Sequence, residues 1–309
     1  MRKIAFVYPG QGAQKCGMGK DFYDIFPIAK KVFDRADEIL DISVTDLCFN
    51  ENEYLHQTAY TQPALVTTCL AITAVLKEKG IQPDVTAGLS LGEYAAIATA
   101  GGFSTEEAIK MVRARGIFME EAVPDGKGAM AAVLGMEVVQ LEKVLSKIEG
   151  VYIANYNCPG QIVITGLKES VDKACEALKN VGCKRCLPLK VSGPFHSPYL
   201  KGAGKKLGEF MEKTELHELE IPYVTNVTAE YVEDIGATKD LLVRQVASSV
   251  KWIQSVEKMI AEGVDTFVEI GPGKTLAGFI KKINPDVKVI NISQVEDLDI
   301  LMEDYNVAG

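Results

Sequence analysis

The chain has 309 residues, of which 47% are hydrophobic, and a formal net charge of −9 at pH 7. This length and composition suffice for one large α/β domain, or for two domains, with an apolar core. The acidic balance argues against a broad nucleic-acid-binding surface. No apolar run looks long enough to span a membrane, and the short run from Ile4 ends at Pro9 and Gly10 rather than at a small-residue cleavage site. We therefore expect no membrane contact, no signal peptide and no nucleic-acid partner.

Short β-branched runs alternate with amphipathic helical stretches, which predicts an α/β fold with a largely parallel sheet. The clearest predicted strands cover residues 4–8, 85–89, 223–227, 266–270 and 287–292. One segment departs from this alternation, because "GAMAAVLGM", "EVVQLEKVLSKIEG", "VYIANYNCPGQIVITG", "LKESVDKACEALKNVG" and "CKRCLPLKVS" predict the order β-α-β-β-α-β. That order is ferredoxin-like.

The flanks of this segment, "VPDGKG" and "SGPFHSP", are rich in turn residues. The sequence therefore predicts a ferredoxin-like small domain at residues 127–195, inserted into a large α/β-hydrolase-like domain. The large domain is expected to consist of residues 1–126 and 196–309.

Seven cysteines are scattered along the chain, and their number is odd. This usage is typical of reduced thiols in a cytoplasm rather than of a disulfide framework. Cys183 and Cys186 form a Cys-x-x-Cys pair, but no second pair completes a zinc site. We interpret them as two unrelated thiols and expect no metal.

Ser90 lies in a Gly-x-Ser-x-Gly pattern between Gly88 and Gly92, where a predicted strand passes into a predicted helix. On such a sharp turn the hydroxyl projects above the sheet, which suits a nucleophile. The unpaired N–H groups at the helix N-terminus are suited to stabilising an oxyanion. A serine in an ordinary tight turn gives the same short pattern, so both interpretations stay open on the motif alone.

A nucleophilic serine needs a base, and the chain has three histidines. His56 lies in a polar connection, and His217 lies among like charges at the end of a predicted helix. His196 follows a buried strand, in a loop constrained by Pro194 and Pro198. The sequence favours His196 as the base; the alternative is a buried histidine that only satisfies local hydrogen bonds.

Arg115 lies on the apolar face of a helix that is predicted to begin after the N-cap residue Ser104. A buried guanidinium is costly without an anionic partner. That partner is either a structural Asp or Glu, or a substrate carboxylate bound in a bidentate manner.

Several motifs occur together over nearly the whole chain, namely "FVYPGQGAQ", "YTQPAL", "GLSLGEY", "RGIFMEEAVPDGKGAM", "NYNCPGQIVITG", "GPFHS", "LVRQV" and "EIGPGKTL". In order and approximate spacing, the chain resembles the malonyl-CoA:acyl carrier protein transacylases. The resemblance implies that Ser90 is acylated and that His196 is its base. It also implies that a backbone carbonyl at Gln245 orients the histidine, and that the N–H groups of Gln11 and Leu91 form the oxyanion hole.

The resemblance further implies that Arg115 binds the free carboxylate of a malonyl group. Asn157 and Gln161 match positions that line the cleft, and Phe195 is expected to favour malonyl over methylmalonyl. Leu89 departs from the family pattern, which usually has histidine before the serine, and this departure puts any contribution of that imidazole in doubt.

The implied reaction is ping-pong transfer of malonyl from malonyl-CoA, through a serine ester, to the phosphopantetheine thiol of acyl carrier protein, for fatty acid synthesis. The expected enzyme is a cytoplasmic monomer without a cofactor. The basic stretch "KGAGKK" at 201–206 is a candidate docking surface for the acidic carrier protein. A serine esterase or thioesterase and a non-catalytic binding subunit are the alternatives.

Overall fold

The structure is a computed structural model, and it describes residues 2–124, 126–191 and 193–307. Within these residues ten strands form two sheets: β1 (Ile4–Tyr8), β2 (Val85–Gly88), β3 (Gly128–Leu134), β4 (Val151–Cys158), β5 (Gln161–Leu167), β6 (Arg185–Pro188), β7 (Tyr223–Val224), β8 (Tyr231–Val232), β9 (Thr266–Ile270) and β10 (Lys288–Ile292). The α-helices of the same residues are α1 (Lys20–Ile25), α2 (Pro27–Ile39), α3 (Val44–Phe49), α4 (Thr58–Glu78), α5 (Gly92–Thr99), α6 (Thr105–Glu121), α7 (Val138–Leu145), α8 (Lys168–Asn180), α9 (Lys201–Met211), α10 (Thr238–Gln245), α11 (Trp252–Ala261), α12 (Thr275–Ile283) and α13 (Asp297–Val307).

The first sheet has the strand order β10-β9-β1-β2-β7-β8. Its strands pair in parallel, except that β8 runs antiparallel to β7. The predicted largely parallel sheet is therefore confirmed. The strand predicted at 223–227 is shorter than expected, because the chain turns after Val224 and returns as β8, which the sequence analysis did not predict.

Strand β1 is central in this sheet, and all five of its residues are buried. Alternate side chains enter two different apolar clusters: Phe6 packs with one and Val7 with the other. A continuous apolar run instead of an alternating one is what a strand covered on both faces requires. Tyr8 lies opposite Gly88 of β2, so the loops that follow β1 and β2 leave the sheet side by side.

Helix α4 corrects one expectation from the sequence. Its 21 residues are long and apolar enough, by length and composition, to cross a membrane. However, 89% of its apolar window is buried inside the protein, and α4 packs against α6 and α2. Since its apolar side chains are covered by protein on all sides, we assign α4 to the core.

The second sheet has the strand order β4-β5-β3-β6, and all its pairs are antiparallel. The elements follow the predicted order β-α-β-β-α-β, with α7 and α8 as the two helices. A bridge between Asn155 and Val250 joins β4 to the chain between α10 and α11. Residues of β4 and of the loops after β1 and β2 line the same cavity, so the small sheet lies at the carboxyl end of the large one. The domain boundaries at 126/127 and 195/196 stay predictions.

Two of the seven cysteines are bonded, which corrects the expectation of reduced thiols throughout. Cys175 of α8 and Cys186 of β6 form a disulfide, whereas five cysteines are free. The two residues meet because α8 packs on β6. Cysteine counting could not detect this pair, since the contact depends on how the helix lies on the strand.

Candidate active site

The turn that carries Ser90 connects β2 to α5 and is very tight. A side chain at Gly88 would place its Cβ 1.9 Å from the backbone of Gly92, and one at Gly92 would lie 2.2 Å from the carbonyl of Tyr8. Only glycine fits at these two positions. Ser90 itself has a φ of +52°, a conformation rare for non-glycine residues and typical of a nucleophile on a strand–turn–helix motif.

Ser90 and His196 are in direct hydrogen-bond contact, with 2.7 Å between Oγ and Nε2. On the other side of the ring, Nδ1 lies 3.0 Å from the carbonyl oxygen of Gln245 and 3.1 Å from that of Ser248. Two acceptors at Nδ1 place the proton there, which leaves Nε2 to accept the proton of the serine. Burial, followed by the charge of Arg115, lowers the pKa of His196 to about 4. The imidazole is therefore neutral at pH 7.

Arg115 reaches the same hydroxyl from α6. One terminal nitrogen donates to Oγ of Ser90 at 3.2 Å and to Oε1 of Gln245 at 3.1 Å, and the other donates to Oε1 of Gln62 at 2.9 Å. The side chain is 1% exposed. Among the described residues no carboxylate oxygen lies within 4.0 Å of this guanidinium. A structural Asp or Glu in direct contact, the commoner explanation for a buried arginine, is thus not what the structure shows.

Gln245 is a junction between these groups. Its backbone carbonyl faces His196, and its side-chain Nε2 donates to the carbonyl of Ser90 at 2.8 Å and to Oε2 of Glu93 at 2.7 Å. Glu93 is fully buried, and burial raises its pKa to about 7. Glu93 is therefore the carboxylate closest to Arg115 along this network, and the side-chain amide of Gln245 lies between the two.

A cavity of about 260 Å³ opens beside these side chains. Its lining includes nearly all site residues expected from the sequence: Gln11, Ser90, Leu91, Arg115, Asn157, Gln161, Phe195 and His196. Gln245 lies behind this lining. Leu89 also lines the cavity and packs on the apolar cluster below it, so this part of the wall is apolar.

Gln11 and Leu91 both line this cavity, and within the described ranges the backbone N–H of neither residue donates to a protein acceptor. The N–H of Ser90, in contrast, donates to Oδ1 of Asn226 at 2.6 Å. Two free donors next to the nucleophile are what an oxyanion hole requires.

Sequence reasoning missed three buried side chains of the site: Gln62, Glu93 and Asn226. Glu93 carried a usable signal, because it is a carboxylate in the otherwise apolar helix "GEYAAIAT", the same anomaly that singled out Arg115. Gln62 and Asn226 carried none, since ordinary polar residues in a helix start and in a turn are common.

The two other histidines lie away from the site. His56 is exposed near Gln14, and His217 pairs with Glu107 at 3.3 Å. The basic stretch forms α9, where Lys206 pairs with Glu121 at 3.0 Å and no residue lines the cavity. Its docking role stays a prediction.

Residues 5–295 match the acyl transferase domain family, and the chain belongs to that family. It is therefore an acyltransferase, which decides against the hydrolase alternative. Among its relatives, the malonyl CoA-acyl carrier protein transacylase of Bacillus subtilis is 47% identical over 308 residues, covering 98% of this chain and 97% of that protein. The enzyme of the same name from Staphylococcus aureus is 42% identical over 303 residues, covering 96% and 98%.

Solved structures agree with these relatives. The malonyl CoA-acyl carrier protein transacylase of Clostridium perfringens superposes with a TM-score of 0.95 at 43% identity, covering 99% of this chain and 98% of that one. A malonyl-transacylase in complex with its type II PKS acyl-carrier protein has a TM-score of 0.95 at 37% identity, covering 98% and 99%. The family resemblance found in the motifs is thereby confirmed.

Proposed function

We propose that this chain transfers the malonyl group from malonyl-CoA to Ser90 and then to the phosphopantetheine thiol of an acyl carrier protein. One observation carries the choice of malonyl: the buried guanidinium of Arg115 lies 3.2 Å from the nucleophile and has only neutral partners. A buried cation without a direct counter-ion favours a ligand that brings its own carboxylate. A dicarboxylic acyl group supplies one next to the reacting carbonyl.

In the first half-reaction His196 removes the proton of Ser90 as Oγ attacks the thioester carbonyl. The neutral ring and the 2.7 Å contact suit this role. The tetrahedral oxyanion is held by the N–H groups of Gln11 and Leu91. One such donor is worth about 3 kcal/mol in the transition state.

Collapse of this intermediate breaks the carbon–sulfur bond, and the coenzyme A sulfur takes the proton from His196 as it leaves. The malonyl group remains as an ester on Ser90. In the second half-reaction His196 takes the proton of the carrier thiol, the sulfur attacks the ester carbonyl, and Ser90 recovers its proton as the malonyl thioester departs.

The outer part of the cavity receives the thioester chain in this proposal. Oδ1 of Asn157 is buried and has no hydrogen-bond partner in the described part of the chain, so it is available to accept an N–H from the substrate. Gln161 lines the same wall. Phe195, 6% exposed, closes the side next to His196, where a branched acyl group would need room.

The physiological setting follows from the same proposal. The relatives named above, one of them described in complex with its carrier protein, support an acyl carrier protein as the partner. We further propose a cytoplasmic monomer that supplies fatty acid synthesis and needs no cofactor.

Intact-mass measurement after brief incubation with malonyl-CoA or acetyl-CoA, without carrier protein, tests the function. We expect a stable malonyl adduct that maps to Ser90 and little acetyl adduct. In Arg115→Ala the malonyl preference should disappear, with malonyl acylation at least about 100-fold slower, since a charge-assisted bidentate contact is lost.

Arg113→Ala is the matched control, because it removes the same charge from α6 at a site that pairs with Asp41 and does not line the cavity. Its acyl preference should equal that of the wild type. If Arg115→Ala still preferred malonyl over acetyl, the carboxylate role would be wrong. Consumption of malonyl-CoA without an adduct would indicate hydrolysis.

A further inference from the structure

Asn226 faces the nucleophile turn from the tight turn between β7 and β8. Its side-chain Oδ1 accepts the N–H of Ser90 at 2.6 Å, and its Nδ2 donates to the carbonyl of Gly88 at 2.7 Å. One carboxamide thus bridges the strand end and the nucleophile. The residue is 1% exposed, so water does not compete for either bond.

The backbone of Asn226 is itself fixed from two sides. Its N–H donates to Oε2 of Glu93 at 3.2 Å, and its carbonyl accepts the N–H of Lys251 at 3.0 Å. Oε2 of Glu93 also accepts from Gln245, whose amide holds the carbonyl of Ser90. Both the N–H and the carbonyl of Ser90 are therefore bound by side chains of one buried network.

Backbone strain occurs in both of these turns and in the loop that carries His196. Within the described ranges three non-glycine residues have positive φ: Ser90 at +52°, His196 at +58° and Ala229 at +60°. Ala229 closes the turn that carries Asn226, with its N–H bonded to the carbonyl of Thr225 at 3.0 Å. Strained conformations of this kind persist only where the surroundings over-determine them.

We propose that Asn226 is a positioning residue for acyl transfer. By clamping the nucleophile turn, it holds Oγ of Ser90 on Nε2 of His196. Because its Oδ1 accepts the N–H of Ser90, this N–H is not free to bind the oxyanion. The oxyanion is then bound by the N–H groups of Gln11 and Leu91. The inference rests on the proposed function, in which Ser90 is the acylated residue.

Asn226→Ala tests the clamp, with the rate of Ser90 acylation from malonyl-CoA followed by rapid quenching and intact mass. Asn226 does not line the cavity, so substrate binding should be spared while the attacking geometry is lost. We expect kcat to fall about 10- to 100-fold with KM within about threefold of the wild type. Rates are expressed per folded molecule, with folding followed by circular dichroism.

Asn226→Asp keeps the size and the acceptor for Ser90, but its carboxyl group, when ionised, cannot donate to Gly88. We expect partial rescue, with acylation about tenfold below the wild type and above the alanine variant. The matched control is Thr238→Val, which breaks a buried hydrogen bond to Tyr223 outside the nucleophile turn. Its acylation rate should stay within about twofold of the wild type, whatever its melting temperature.

The proposal is overturned if Asn226→Ala acylates within threefold of the wild type, or if Thr238→Val loses as much rate as Asn226→Ala. If the alanine variant does not fold, the aspartate variant decides, and a wild-type rate there overturns the clamp. A fluorophosphonate probe is measured in parallel, because it reports the reactivity of Ser90 for any acyl class. If the wild-type protein reacted with the probe but not with malonyl-CoA, the proposed function would be refuted and the clamp would not. The rates at which the Asn226 variants react with the probe would then test the clamp.

Discussion

The two sheets contribute different kinds of residue to the cleft that they share. The large sheet and its helices supply the reacting and charged groups, Ser90, His196 and Arg115, all tied into one buried hydrogen-bond network. The described lining residues of the small sheet are uncharged: Met130, Ala132, Asn155, Asn157, Gln161 and Val163. We call the side of the cleft formed by the large sheet the first wall and the side formed by the small sheet the second wall. The contrast suggests that bond making depends on the first wall, whereas recognition of the thioester chain depends on the second. Substitutions on the first wall should therefore lower the rate of acylation, whereas substitutions on the second wall should raise KM.

The largest effect is expected on the first wall, from His196→Ala. Loss of the general base should slow acylation of Ser90 about 1000-fold, because the hydroxyl then loses its proton acceptor. His217→Ala, a surface histidine paired with Glu107, is the control and should acylate normally. A rate within tenfold of the wild type for His196→Ala would place the base elsewhere.

The pH dependence of acylation should show how the charge of Arg115 affects the pKa of His196. Because burial and the charge of Arg115 lower the pKa of His196 to about 4, activity should persist below pH 6 and fall only near pH 4. In Arg115→Met the charge is absent, so the pKa of His196 should rise toward its ordinary value of 6.5. The pH at which acylation falls on the acid side should rise with it. The fluorophosphonate probe measures both proteins without needing malonyl recognition.

Glu93 titrates at higher pH than this acid limb, since burial raises its pKa to about 7. A Glu93→Gln protein, measured over the same pH range, separates its contribution from that of His196. An acid limb that did not move in Arg115→Met would contradict the coupling.

A smaller and different effect is expected on the second wall. Asn157→Ala should raise KM for malonyl-CoA about three- to tenfold and leave kcat nearly unchanged, because only a hydrogen bond to the substrate chain is lost. Thr165→Val is a matched control, since its buried hydroxyl on β5 also lacks a partner among the described residues but does not line the cavity. A drop in kcat with constant KM would contradict the division between the two walls.

The smallest effect on activity is expected from the disulfide of the small sheet. Replacing both Cys175 and Cys186 by serine should lower the free energy of unfolding by about 3 kcal/mol, the value for a loop of this length, and leave acylation unchanged. Denaturant unfolding measures the first effect and intact mass the second. Thiol titration of the unreduced, denatured protein checks the bond itself, and seven reactive thiols would show that it is not formed.

The sequence predicted those parts of the molecule that have a local signature. Strands β1, β2, β9 and β10 are rich in β-branched, aromatic or small residues, and the turn at Ser90 needs its two glycines. Arg115 was detectable as a charge at helical spacing on an apolar face. Its contacts with Gln62 and Gln245 were not, because they join residues 53 and 130 positions apart.

The features that the sequence analysis missed depend on contacts between separate elements of the fold. The bond between Ser90 and Asn226 spans 136 positions, and nothing in "TNVTA" distinguishes a clamp from any other turn. The sequence analysis found no apolar run of membrane-spanning length, although α4 has that length and composition, because burial on all sides by protein demands the same composition as burial by lipid. The Cys175–Cys186 contact depends on how a helix lies across a strand.

The left-handed backbone at Ser90 and His196 has a consequence for laboratory evolution. Glycine or asparagine adopts such a conformation at lower cost than most residues, so selection for melting temperature alone would favour replacing both reacting side chains. A thermostability screen of this enzyme therefore has to include turnover. Variants that melt at higher temperature through changes at these two positions would be well-folded proteins without a nucleophile or a base.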